Sequence, residues 1–157
     1  MTPVTVIKLG DKDSDRFLKV IRIFEQVFDM ENLVLPGDVH LRDLLKSDHF
    51  FVFAAMSGDK VIGGLTGYIL EQYYSVKPLA YIFDLAVDAE YRRQGVGGKL
   101  MAEVRQYFTK NGFEEVFVQA DMIDDDAVNF YRSTGPTNEE DVIHFYYTLN
   151  EAKRRDK

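Results

Sequence analysis

The run YIFDLAVDAEYRRQGVGGKL, residues 81–100, constrains this chain more than any other stretch. An apolar extended segment carrying Asp84 leads through basic residues and three glycines into a segment whose Val96, Leu100, Val104 and Phe108 share one helical face. Glycines between a strand and a helix remove Cβ atoms and let backbone N–H groups approach an anion at the positive helix end. Such a turn can hold phosphate, and Arg92, Arg93 and Lys99 add charge to the grip. Two nucleotide-binding patterns fail on spacing. A P-loop needs Gly where Arg93 stands and Ser or Thr where Leu100 stands. A Rossmann fingerprint needs a third glycine and an early strand of a parallel sheet, and this turn has neither.

The flanking segments set the architecture. Residues 4–9 alternate and are β-branched, which predicts a strand. Phe17, Leu18, Ile21, Phe24 and Phe28 recur at helical spacing behind Asp13 or Ser14 as N-cap, and a short helix over 39–46 follows with Asp38 as its cap. FFVFAAM (50–56), the turn SGDK and the longer run 61–74 read as an antiparallel hairpin, with a further strand over 79–87. The helix after the glycine turn ends at Asn111 and Gly112. A strand over 114–121, a helix over 124–135 closed by Gly135 and a last strand over 142–149 complete the order. The expected fold is α/β (α+β), a mixed and mostly antiparallel sheet flanked by helices, in one domain over 1–150 with a flexible basic tail at 151–157.

Composition narrows the function classes. A length of 157 residues suits one domain. The chain has no cysteine, which excludes disulfides, thiolate nucleophiles and Cys-based zinc sites. His40, His49 and His144 show no ligand spacing, so no metal is expected. A net charge of −7 argues against a nucleic-acid footprint and suits a cationic partner, although acidity also serves solubility alone. The N-terminal residues lack a signal-peptide pattern and no segment is long and apolar enough to span a membrane, so a cytoplasmic protein is expected.

The glycine turn has a closer parallel. Arg-x-x-Gly-x-Gly (Arg92, Gly95, Gly97), preceded by LAV and followed by an apolar helix, resembles the acyl-CoA-binding motif of the GNAT N-acetyltransferases. AVNFYRSTG (127–135) has the Ala-x-x-x-Tyr-x-x-x-Gly spacing of that family's C-terminal half, and the element order agrees with its fold. The resemblance implies acetyl-CoA as donor and CoA as product. It implies that the backbone of Leu85, Ala86 and Val87 binds the pantetheine arm. Gln94, Gly95, Val96, Gly97, Gly98 and Lys99 would hold the pyrophosphate, assisted by Arg92 and Arg93. Tyr131 matches the family tyrosine near the CoA sulfur and is the candidate general acid, its alternative being an aromatic core contact.

Asp84 has two readings. A carboxylate among Ile82, Phe83, Leu85 and Ala86 is costly to bury unless compensated, so it is either a structural hydrogen-bonding group or a general base whose pKa burial raises. The reaction implied above needs a base, because an ammonium must lose its proton before it attacks a thioester. Asp121, at the expected strand end, is a candidate for contacting a cationic substrate, with Glu71 a weaker one. Asp124, Asp125 and Asp126 either join it or serve only the helix start.

Together the segments 81–95, VQAD…DDDAVNFY and VIHF are similar to the aminoglycoside 3-N-acetyltransferases of type I. That narrower resemblance implies Asp84 as base, Asp121 and Asp124, Asp125 and Asp126 as receivers of a polycationic aminosugar, a homodimer, and a part in antibiotic resistance. A polyamine, another small amine or a peptide amine is the alternative acceptor. A non-catalytic acyl-CoA-binding domain is the alternative of another class.

Overall fold

The run 50–56 is apolar throughout because it becomes a strand covered on both faces. It forms β2 (Phe50–Ser57), buried from Phe50 to Met56. The computed structural model describes residues 2–150, so the tail expected at 151–157 lies outside the described residues. β2 pairs antiparallel with β1 (Val4–Lys8) and with β3 (Lys60–Leu70). β3 pairs antiparallel with β4 (Leu79–Val87), and β4 pairs parallel with β5 (Glu115–Val118). The mixed, mostly antiparallel sheet expected from the sequence therefore forms, in the order β1-β2-β3-β4-β5.

The helices are α1 (Ser14–Val27), α2 (Asp38–Lys46), α3 (Val96–Lys110) and α4 (Asp125–Ser133). The chain falls into two compact units, one ending at Gln119 with the sheet and α1 to α3, the other beginning at Ala120 with α4.

In the first unit, strand alternation sorts side chains between two helical layers. Phe50, Val52, Ala54 and Met56 cluster with Phe17, Val20, Ile23 and Phe24 of α1 and with Leu41 and Leu45 of α2. Phe51 and Phe53 point to the other face, where their rings lie 4.9 Å from Phe108 and 5.5 Å from Tyr107 of α3.

Four boundaries differ from expectation. Asp38 is the first residue of α2 and not its cap; Gly37 holds the cap position, and Asp38 pairs with Arg42 at 2.8 Å. β3 stops at Leu70, its last rung to Leu79, because Gln72 bends the chain away, donating to Lys77 O at 2.8 Å and Glu114 Oε2 at 2.9 Å. β5 ends at Val118, so Asp121 lies beyond the strand and not at its end. Among the described residues no strand is assigned over 142–149, where one is expected.

Candidate functional site

β4 carries the candidate site of the first unit. Its rungs to β3 pass from Thr66↔Asp84 to Gly67↔Ile82, so Phe83 is inserted between consecutive rungs as a β-bulge. The insertion decides where Asp84 points. Ile82 is fully buried and lies level with Gly67 and Phe51, on the α3 face. Strict alternation would send Asp84 to that same face. The bulge instead sets it level with buried Thr66 and with Val52, on the face of α1 and α2, where it is half-buried. The strand pattern does not announce this, although the glycine at 67 is a signal. A Cβ there would sit 2.2 Å from Phe51 Cζ and 2.4 Å from the carbonyl oxygen of Tyr81, so only glycine lets β3 close against the bulged strand.

Beyond the bulge, β4 outruns its other neighbour. The ladder to β5 ends at the Ile82↔Val118 rung, while β4 continues to Val87. Among the described residues no strand pairs with Leu85, Ala86 and Val87 on that side. From there the chain makes a single 3-10 turn, Ala89–Tyr91, fixed by the Asp88 carboxylate accepting from Glu90 N–H at 3.0 Å. Arg93 at φ 61° and Gly95 at φ 79° then turn it into α3. Both are left-handed, a conformation that costs glycine little and arginine more.

The start of α3 is open. Lys99 N–H is bonded to Gly95 O at 3.0 Å, which leaves the N–H groups of Val96, Gly97 and Gly98 without intrahelical acceptors, and Gly95 at the N-cap has no side chain to cap them. Arg92, Arg93 and Gln94 are exposed beside them. The side chain of Gln94 donates to Glu90 O at 3.3 Å. The Lys99 ammonium reaches the other way and donates to the carbonyl of Val4.

In the second unit, Asp124 is the N-cap of α4, its Oδ1 accepting from Ala127 N–H at 3.1 Å. Asp125 and Asp126 occupy the first turn, where carboxylates suit the helix dipole. The carbonyl of Asp121 accepts from Asp124 N–H at 3.0 Å, and all four acidic residues are exposed. Tyr131 is half-buried on α4, its ring 5.0 Å from that of Phe130. Gly135, at φ 73°, donates to Arg132 O at 3.3 Å and ends the helix as expected. Arg132 grips Glu139 through two hydrogen bonds of 3.0 and 2.8 Å. That bond raises the arginine pKa and holds the Glu139 carboxyl below its ordinary value.

β4 leads through a glycine-containing turn into the start of α3, the strand–turn–helix order that the sequence motif anticipates. The model of the acetyltransferase (GNAT) family matches residues 18–135. The chain belongs to the GNAT acetyltransferase family. Among solved structures, this GNAT chain is similar to an aminoglycoside acetyltransferase from an uncultured soil metagenomic sample in complex with sisomicin. The two are 54% identical with a TM-score of 0.92, over 94% of this chain and 97% of that one. It shares its fold with the aminoglycoside N-acetyltransferase AAC(6')-Iy in complex with CoA, at 17% identity and a TM-score of 0.75, covering 95% and 97% of the two chains. Among curated proteins it is 26% identical to N-alpha-acetyltransferase 30 of Xenopus laevis over 65% of this chain. The match spans 37% of that longer relative.

GNAT acetyltransferases use acetyl-CoA. The residues of the turn fit its diphosphate: the first α3 amides have no intrahelical acceptor, and among the described residues a Cβ added at Gly95 or Gly98 would meet no atom within 4 Å.

Proposed function

We propose that this GNAT acetyltransferase transfers the acetyl group of acetyl-CoA to an amine of an aminoglycoside, the 3-amino group of its central ring. The observation that carries the reading is the bulge at Phe83, which turns Asp84 onto the face opposite α3 while β4 runs on past β5 into the open helix start. Asp84 and the backbone of Leu85, Ala86 and Val87 then belong to one continuous strand, which the turn into α3 follows. The 54% identity to an aminoglycoside acetyltransferase that binds sisomicin supports the choice of acceptor.

Acetyl-CoA supplies the activated acetyl group when bound. Leu85, Ala86 and Val87 offer backbone groups to its pantetheine arm. Gln94, Gly95, Val96, Gly97, Gly98 and Lys99 offer the turn to its pyrophosphate, and Arg92 and Arg93 add charge. The Lys99 contribution is its place in the helix start, since its ammonium is held by Val4. Asp84 takes the proton from the acceptor ammonium at a carboxylate oxygen, directly or through water. The Tyr131 hydroxyl donates a proton to the departing sulfur. Asp121, Asp124, Asp125 and Asp126 attract the remaining ammonium groups, Asp124 while capping α4. The reading extends to one domain over 1–150, a homodimer, a cytoplasmic location and a resistance role.

The test is release of free CoA from acetyl-CoA with sisomicin, spermidine or a peptide amine as acceptor. Release with sisomicin, and acetylation mapped to the 3-amino nitrogen, is the expected result. Release only with another amine would sink the aminoglycoside assignment, and acetylation at the 6′ nitrogen would correct the position.

A further inference from the structure

The cavity at the start of α1 takes no part in the chemistry described above. Its volume is about 370 Å³, and around it Asp11, Lys12 and Ser14 at the helix start meet Arg42 and Lys46 of α2, all within the first unit. The cofactor turn lies elsewhere. α1 follows the Lys8 end of β1, whereas Lys99 ties the start of α3 to Val4 at the other end, roughly 13 Å away at about 3.3 Å per strand residue. The two helices also cover opposite faces of the sheet.

The helix start offers donors. Phe17 N–H is bonded to Asp13 O at 2.9 Å, which leaves the N–H groups of Ser14, Asp15 and Arg16 without intrahelical acceptors. Asp13 holds the N-cap position but makes no capping bond; its carboxylate accepts instead from Gly10 N–H at 2.8 Å and from Arg16 at 3.1 Å. Ser14 is a separate sign of a ligand. It is 7% exposed, and among the described residues its hydroxyl has no hydrogen-bond partner. Among the same residues no sealed side-chain oxygen lacks a partner, so this hydroxyl is turned to the cavity that Ser14 lines. Charge says what kind of ligand fits. Lys12 and Lys46 form no ion pair among the described residues, Arg42 is held by Asp38 at 2.8 Å, and Asp11 is the one carboxylate of the lining. A cationic cavity at the positive end of a helix, in a chain of net charge −7, selects an anion.

We infer that this cavity binds the phosphate group of a small anion, free or esterified, at a site separate from that of acetyl-CoA. The first N–H groups of α1 and the Ser14 hydroxyl donate to phosphate oxygens, and Lys12 and Lys46 balance the charge. Asp11 accepts from the proton of hydrogen phosphate or from a hydroxyl of an ester, neither of which sulfate offers. The volume lies at the lower end of the roughly 300–1,000 Å³ of small-molecule pockets, which leaves room for a small ester. Because the lining comes from both helices, the occupant ties α2 to the start of α1. Nothing in this site depends on which amine the enzyme acetylates.

The test titrates the full chain, with and without saturating CoA, against inorganic phosphate, glycerol 3-phosphate, sulfate and chloride at matched ionic strength, following backbone amides by NMR. The amides of Ser14, Asp15 and Arg16 should shift saturably with phosphate or its ester whether or not CoA is bound, more weakly with sulfate, and not with chloride. The tighter binder of the first two names the source of the phosphate group. Lys46→Gln and Ser14→Ala should each weaken its binding about 10-fold, the worth of one hydrogen bond to a charged group. Phosphate should also raise the Tm of wild type more than that of either variant, because its general stabilising effect as an excluded salt is common to all three. Should a variant fail to fold, the wild-type titration decides alone. Shifts confined to residues 96–98 and abolished by CoA would put the phosphate in the cofactor turn and overturn the site. Non-saturating shifts of equal size with chloride, sulfate bound as tightly as phosphate, or unchanged affinity in both variants would overturn it as well.

Discussion

Asp84 and Gly67 show how one inserted residue sets the chemistry of a strand. Without the bulge Asp84 would face α3; with it the carboxylate stands level with Thr66. If that carboxylate is the base, Asp84→Asn should keep the shape and lose the proton acceptor. Its kcat for the aminoglycoside should fall by about 10²- to 10⁴-fold, the usual worth of a positioned base, with acetyl-CoA binding retained. A CoA-release assay beside a cofactor titration checks it, and a kcat within a few-fold of wild type would assign the base elsewhere. Gly67 carries the structural half of the arrangement. Gly67→Ala forces a methyl against the Phe51 ring and the Tyr81 carbonyl, the latter backbone that cannot swing aside. Overpacking of this kind costs about 2–3 kcal/mol, read as a lower urea midpoint at unchanged slope. An alanine variant as stable as wild type would show that the bulge tolerates a wider strand separation.

Among the elements, those whose partners lie close in sequence were legible from pattern alone. β4 and the start of α3 stand where the sequence places them, because alternation, glycines and helical spacing are local signals. The end of β5 was not legible, since ladder partners are decided by the sheet as a whole. Nor was the bulge: Gly67 hints at one, but the steric conflict that requires glycine there shows only in three dimensions. The acidic run 124–126 was legible in both its readings, and the structure places Asp124 in the capping one. At the end of α4, Arg132 and Glu139 make a pair whose pH response has a definite sign. The hydrogen bond from Arg132, then its charge, lowers the folded pKa of Glu139. The contact is therefore complete above the unfolded glutamate pKa, about 4.3, and is lost as pH falls through the lower folded value. Carbon-detected NMR titration should give Glu139 a midpoint below the ordinary glutamate range, and Arg132→Gln should return it there. Both side chains are exposed, so global stability should hardly register the exchange.

For the molecule as a whole, the charge is uneven in a way that separates its two substrates. The chain carries −7 net, yet the cofactor turn is basic at Arg92 and Arg93. On the proposed reading, a polycationic acceptor is drawn by the summed field and by the carboxylates on the Asp84 face, whereas the anionic donor meets a local basic patch within an overall negative field. Long-range attraction between exposed charges fades once the Debye length, about 10 Å at 0.1 M salt, falls below their separation. Raising ionic strength from about 0.01 to 0.15 M, where that length shrinks from about 30 to 8 Å, should lower kcat/KM for the aminoglycoside severalfold. The corresponding value for acetyl-CoA should change less, because attraction to the turn and repulsion by the whole chain weaken together. Steady-state kinetics at fixed pH with an inert salt makes the comparison. Equal salt dependence for the two substrates would mean that the net charge of the chain serves solubility and takes no part in choosing the acceptor.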